Sequence, residues 1–226
     1  MGWKNGSAKA SPGYFSVRLD NDILAEMTVS NHTALYKFTF PDTIPPDTSF
    51  NPLISVELND LGRTGTGGLV TANPETGRIY GNGTFRPSFG VGNFKLHFCA
   101  DFDGAKVRDA GVTPNESPRF AYTRFIPSGS KKLLVRVGLS FISIQQACNN
   151  AENELKDFDF DGAVSIAREA WEKKLNIIEI DAGGVSKDIE MSFWSGVYRT
   201  MISPQDYTGE NPLWESDEPY FDSFYW

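Results

Sequence analysis

The chain has 226 residues, of which 40% are hydrophobic and 13% aromatic, and a formal net charge of −8. That is enough apolar chain for a sizeable core, and it is not a disordered composition. The acidic balance excludes nucleic acid and an anionic membrane as natural partners, since both need a basic surface.

Residues 13–141 read as β. Gly13 to Leu19 alternates Tyr14, Ser16 and Arg18 against Phe15, Val17 and Leu19. Asp20-Asn21-Asp22 signals a turn, and alternation resumes over Ile23–Val29 and Ala34–Phe40. This predicts a meander of half-buried antiparallel strands. Further strands are expected at 53–58, 68–71, 77–88, 94–102, 119–125 and 132–142. Asn82-Gly83 is a hairpin-type turn signal. The glycine-rich run 65–69 lacks the Gly-Lys-Ser/Thr ending of a phosphate loop and reads as a flexible hairpin loop. Leu133 to Leu139 is the most apolar strand and is placed at the centre of its sheet. Many strands with closely spaced turns predict a β-sandwich.

The period changes near residue 143. Ile144 to Leu155 reads as loop or short helix. A helix opens at 158–162, with Asp161 as its cap, and carries Ala163, Ala167, Ala170, Trp171 and Lys174 on one face. Leu175 to Ile180 is a short strand or extended linker, and Asp181 to Gly184 is a break. A second helix, about 186–202, has a broad apolar stripe of Ile189, Phe193, Trp194, Val197, Tyr198, Met201 and Ile202, and ends at Ser203-Pro204. Trp171 and Trp194 are expected in the core.

From Ser203 onward there are six carboxylates (Asp206, Glu210, Glu215, Asp217, Glu218, Asp222), seven aromatics and no Lys or Arg. Carboxylates beside flat rings suit sugar binding: acids accept hydroxyl hydrogens, and rings stack on a pyranose. The run stops abruptly at Trp226, so most of such a cleft is expected beyond this sequence. Cys99 and Cys148 lie far apart with no CxxC, and with only His32 and His97 they make no zinc pattern. A disulfide stays open beside the expectation of two buried free thiols. No apolar run approaches the roughly 20 residues of a membrane span. MGWKNGSAKASPGYF has no apolar signal-peptide core. Four Asn-x-Ser/Thr triplets, at Asn5, Asn31, Asn82 and Asn115, tilt slightly towards a secreted parent, whose compartment is otherwise unknown.

Five stretches, in order, carry a resemblance: ASPGYFSVRL (10–19), VRVGLSFISIQQACNNAENE (135–154), DFDFDGAVSIAREAWEKKL (157–175), SFWSGVYRTMISPQDYTGENPLW (192–214) and EPYFDSFY (218–225). Together they resemble glycoside hydrolase family 92, the exo-acting, mostly α-1,2, mannosidases, in its fungal branch. The resemblance implies a mainly β fold with C-terminal helices. An antiparallel, supersandwich-like β-sandwich (10–145, partial) is followed by a helical linker (146–182) and the first helix of a truncated (α/α)6 barrel (183–226). It implies an inverting, calcium-dependent enzyme whose general acid, a Glu, and base, an Asp, lie far into the barrel. By that reading no catalytic residue and no calcium ligand is in this chain, and the chain alone is inactive.

The substrate-binding candidates are Asp222, flanked by Phe221 and Phe224, with Trp214 and Trp226. Asp217, Glu218 and Asp222 are close enough in sequence to form an acid–base pair, but solvated loop acids are the plainer reading. Tyr207 and Trp214 either stack on a glycan or pack against the absent barrel, and His97 is an ordinary strand histidine. Expected partners are mannose-containing glycans and the chain's own missing helical barrel, with no nucleic acid and no membrane. The alternative is a non-catalytic carbohydrate-binding or protein-interaction sandwich.

Overall fold

The computed structural model describes residues 2–41, 52–58, 64–87, 91–113, 120–127 and 130–222. The strands are β1 Lys9–Ser11, β2 Tyr14–Arg18, β3 Leu24–Val29, β4 Thr33–Thr39, β5 Leu53–Glu57, β6 Gly65–Ala72, β7 Ile79–Phe85, β8 Phe94–Asp103, β9 Val107–Val112, β10 Phe120–Phe125, β11 Lys132–Ser140, β12 Gln205–Asp206 and β13 Phe221–Asp222. The helices are α1 Ile144–Glu154, α2 Phe160–Leu175 and α3 Lys187–Thr200.

An eight-stranded antiparallel sheet runs β1-β2-β3-β4-β11-β8-β7-β6, and a three-stranded sheet runs β5-β10-β9. The predicted meander is β2–β3–β4, and β11 is central, between β4 and β8. The two-residue period of the strands splits the core by face. Val70, Ile79, Phe98 and Ala100 meet Ala121 and Val56 of the small sheet. On the other face Leu35, Tyr14 and Leu134 meet Leu155, Phe160 and Ala163 from the helical segment. The large sheet is therefore covered by the small sheet on one side and by α1 and α2 on the other.

Several local expectations give way to tertiary pairing. Asn82-Gly83 makes no turn: β7 runs through it, bonded to both β6 and β8. Pairing on two sides outweighs the dipeptide's local preference, and Gly81 beside it leaves room for the Leu69 carbonyl of β6. The run from Gly65 is strand β6, not a loop. Strand β9 was not foreseen. The segment after residue 143 is a full helix, begun by Ser143, whose hydroxyl accepts from the Gln146 backbone N–H. Ser with Gln three residues on is the pattern of a capping box. Asp159, not Asp161, caps α2, accepting from Gly162 N at 3.0 Å. It stands three residues before that amide, whereas Asp161 lies inside the first turn. No strand forms over 175–180.

Helix α1 is clamped to the sheet in three ways. Its Ala147 and Ala151 lie so close to β11 that a Cβ on Gly138 would meet Ala151 Cβ at 2.8 Å. Cys99 of β8 and Cys148 of α1 form a disulfide, which corrects the expectation of two free thiols. Arg136, the one charge in the apolar β11 run, donates to Asp101 Oδ2 at 3.0 Å and to the Leu155 carbonyl at 2.8 Å. Its guanidinium also lies 4.4 Å from the Phe158 ring centroid. Asp101 in turn accepts from Arg78 Nε at 2.6 Å, and Arg78 reaches Glu152 of α1 at 2.5 Å. A buried charge needs this degree of pairing to be tolerated.

Helix α3 buries nothing completely. Ile189 is 60% exposed, Met191 68% and Phe193 40%. Trp171 and Trp194 are only half-buried, so the core placement of both is corrected. Helical period shows which face is apolar but not what covers it. Among the described residues no helix is long and apolar enough to cross a membrane.

Cys99 and Cys148 close a loop with a sequence separation of 49. Reduction, or replacement of both by Ser, is expected to lower the unfolding free energy by about 2–4 kcal/mol. Urea midpoints measured with and without reductant check this, and equal midpoints would remove the disulfide from the clamp.

Candidate functional site

The acidic run 203–222 is tied to the end of the sheet by one of its own carboxylates. Glu210 is 5% exposed. It accepts from Ser140 Oγ at 2.7 Å, Phe141 N at 2.8 Å and Asn150 Nδ2 at 3.0 Å. Three donors satisfy a buried carboxylate that would otherwise be costly. Ser140 ends β11 and Asn150 sits on α1, so the clamped helix sets where the run begins. Beside Glu210, Tyr207 is buried and packs edge-to-face on Phe141 with ring centroids 5.1 Å apart.

From this anchor the run folds back on itself. Gln205 pairs with Asp222, and Asp206 with Phe221. Tyr207 N donates to the Tyr220 carbonyl at 2.7 Å. Tyr220 then joins two of the sequence-predicted residues. Its hydroxyl donates to Asp222 Oδ2 at 2.9 Å, and its ring meets Trp214 edge-on at 6.2 Å. That bond to Asp222 raises the Tyr220 pKa. Trp214 keeps 55% of its surface exposed, while Asp222 is half-buried. A half-exposed indole and a held carboxylate, both in contact with Tyr220, have the chemistry of a sugar contact: a ring for the apolar face and an acceptor for hydroxyls. Glu215, Asp217 and Glu218 are exposed on the surface. Trp226 and Phe224 lie outside the described residues, as does Asn115.

Beneath the run lie two adjoining cavities that share Asn31, His32, Gln205 and Asp206. One, about 330 Å³, is walled by Leu96, Phe141, Tyr207 and Glu210. The other, about 540 Å³, is walled by Trp171, Lys174 and Tyr198. Both are in the size range of small-molecule sites. His32 Nδ1 is 2.7 Å from Glu154 Oε1, and the His32 backbone N–H donates to Glu154 Oε2 at 2.9 Å. The hydrogen bond that His32 Nδ1–H donates to the Glu154 carboxylate raises the His32 pKa against the opposing effect of burial. Burial pushes Glu154 up, but the bonds from His32 outweigh it and hold its carboxyl below the ordinary value. Asp206 is lowered by the Thr208 hydroxyl and backbone N–H, with smaller help from His32 and Lys174. His97 is lowered, chiefly by burial and then by Lys95.

The sequence did not point to His32, Glu154 or Glu210 for these roles. His32 and Glu154 are 122 residues apart, and no local pattern links them. Among the described residues no group of three or more His, Cys, Asp or Glu is placed to hold a metal ion.

A family model for the glycosyl hydrolase family 92 N-terminal domain matches residues 1–140, and one for the family's catalytic domain matches residues 146–225. The chain belongs to glycosyl hydrolase family 92. A protein of Arthroderma benhamiae named an uncharacterized secreted glycosidase is 43% identical over 242 residues, covering 97% of this chain and 31% of that protein. The structure is similar to that of a family 92 inverting mannosidase of Bacteroides thetaiotaomicron, with TM-score 0.73 and 24% identity over 91% of this chain and 27% of that one. It is also similar to a family 92 hydrolase called ccman5, with TM-score 0.79 and 19% identity over 98% of this chain and 33% of that one. At these identities the structural likeness is one of fold. The mainly antiparallel β architecture with C-terminal helices is that of family 92: the N-terminal sandwich and the start of the helical domain. The chain spans about a third of the length of the relatives it matches.

Two tests follow from the anchors of the family 92 run. Glu210→Gln turns one acceptor into a donor facing donors and is expected to cost about 2–3 kcal/mol; denaturant unfolding beside wild type measures it, and a loss within error would remove the anchor. The His32–Glu154 pair predicts a pH window. A raised His32 stabilises fully below about pH 6.5 and loses its contribution as pH rises through the folded value. A lowered Glu154 stabilises above about pH 4.5 and loses its contribution as pH falls through the folded value. The stability gap between wild type and His32→Gln is therefore expected to be wider at about pH 5.5 than at about pH 9. A gap that does not change with pH would show that the pair is uncharged.

Proposed function

We propose that the chain is the sandwich-and-linker part of a calcium-dependent, inverting exo-α-1,2-mannosidase that trims N-glycans or mannan ends. The observation that carries this is the two family 92 matches in succession, N-terminal domain then catalytic domain, over 1–140 and 146–225. Two solved relatives add support: one is titled an inverting mannosidase, and an α-mannosidase of the same bacterium is titled as a complex with mannoimidazole.

In this proposal residues 10–145 form the sandwich, 146–182 the linker and 183–226 the start of the catalytic barrel. Asp222 accepts a mannose hydroxyl while Tyr220 holds its carboxylate, and Trp214 offers its open face to the sugar ring, with Trp226 as a further contact. Inversion needs an acid and a base about 6.5–9.5 Å apart. The proposal assigns that pair to the helical barrel. The described residues do not fit calcium, having no cluster of acids to hold it, and no step is derived through the ion. A secreted parent is in keeping with the Cys99–Cys148 disulfide, since disulfides persist in oxidising compartments.

The test is calcium-dependent mannose release from α-1,2-mannobiose. The whole protein is expected to be active, and Asp222→Asn in it to lose about 10- to 100-fold in kcat/KM, the worth of one charged hydrogen bond. Purified 1–226 is expected to release no mannose. Turnover by 1–226 would overturn the division of labour, and full activity of Asp222→Asn would remove that residue from the site. Calorimetric binding of mannose oligosaccharides by 1–226, with an inactive whole protein, would favour a non-catalytic sugar-binding module instead.

A further inference from the structure

The Asn31-His32-Thr33 triplet has a feature that neither the fold nor the proposed reaction uses. Asn31 is exposed at the tip of the β3–β4 hairpin, which closes with Ser30 N donating to the Thr33 carbonyl at 2.7 Å. Thr33, two residues on, is 3% exposed. Its hydroxyl helps to hold Glu154 low but reaches no hydrogen-bond geometry with any described neighbour.

The other triplets differ. In Asn5-Gly6-Ser7 the Ser7 hydroxyl already donates to the Lys4 carbonyl at 2.6 Å and the Arg18 carbonyl at 3.2 Å, so the serine has a structural use. Asn82 lies in the middle of β7, paired with Leu69 of β6 and His97 of β8, and an oligosaccharide there would stand on the sheet itself. The Cys99–Cys148 disulfide supplies an independent observation, because disulfides persist in oxidising compartments and the bridge is in keeping with passage through one. Asparagine in Asn-x-Ser/Thr is modified on that route.

We propose that Asn31 carries an N-linked oligosaccharide. In the transfer, the Asn31 side-chain nitrogen attacks the anomeric carbon of a polyisoprenyl-diphosphate-linked oligosaccharide. A nitrogen–carbon bond forms, and the carbon–oxygen bond to the diphosphate breaks. The diphosphate leaves with the electron pair, and the amide proton passes to a base of the transferase. The modification meets the chain before Thr33 is buried, so the later burial of the hydroxyl is no obstacle. Asn31 borders both cavities beneath the acidic run, beside His32 and Asp206, so the sugar chain stands at their shared rim. The inference rests on the secretory route and is independent of the mannosidase reading.

The test secretes the chain from yeast behind a cleavable leader and treats it with a peptide-N-glycosidase in heavy-oxygen water, which marks each formerly glycosylated asparagine as a labelled aspartate. Peptide masses from denatured protein are then read from cells and medium together, so a poorly folding variant still reports. Label is expected at position 31. Thr33→Val is expected to abolish it, and Thr33→Ser to retain it. An unlabelled position 31 in chains whose Cys99–Cys148 bridge has formed would overturn the proposal. So would a label that survives Thr33→Val.

Discussion

The structure depends on how α1 is held against β8 and β11. Apolar burial alone would leave that contact loose, because α1 is a polar helix whose buried side chains are Ala147, Cys148, Asn150 and Ala151. Three short-range constraints replace bulk: the bare backbone at Gly138, the covalent bridge from Cys99 to Cys148, and the Arg78–Asp101–Arg136 network reaching Glu152 and the Leu155 carbonyl. Each is directional, so together they fix rotation and height as well as proximity. A hydrophobic contact of the same area would not, since the hydrophobic effect has no direction.

The clamp then passes its precision outward. Asn150 and Glu154 project from the same helix, one towards Glu210 and the other towards His32. Through the first, the acidic run is hung on the end of β11. Through the second, the β3–β4 hairpin is held over the cavities. A run of six carboxylates with no cation of its own would repel itself if gathered in one place. The fold avoids this by burying Glu210 among three donors, leaving Glu215, Asp217 and Glu218 in solvent, and giving Asp222 a tyrosine hydroxyl. The uncovered face of α3 belongs to the same picture: the sandwich and α2 offer it only partial contact, as the exposure of Ile189, Met191 and Phe193 shows.

Much of the fold was legible because alternation is a local signal. The strands around Tyr14–Arg18, Leu24–Val29 and Lys132–Ser140 carry it plainly, and a central β11 follows from its apolar run. The charge inside that run, Arg136, could have announced that a partner existed, without saying where. Ser143 with Gln146 could have revealed α1. Asn82-Gly83 misled because a dipeptide's turn preference is worth less than bonding to two neighbouring strands. At the site, Trp214, Tyr220 and Asp222 lie within nine residues of one another, so their meeting was partly foreseeable. His32 with Glu154, and Glu210 with Ser140 and Asn150, join residues 60 to 122 positions apart, and no periodicity spans such distances.

By itself, then, the sequence determined the mainly β class, the change to helices near residue 143, the acidic aromatic run and, through its ordered motifs, membership of family 92. Those properties reside in short stretches, where each residue's preference is expressed against its immediate neighbours. The tertiary structure alone decided that Cys99 meets Cys148, that Glu210 is an anchor, and that a histidine in a hairpin faces a carboxylate at the end of a distant helix. These are contacts between residues far apart along the chain, and their partners come within reach only after sheet and helices have packed.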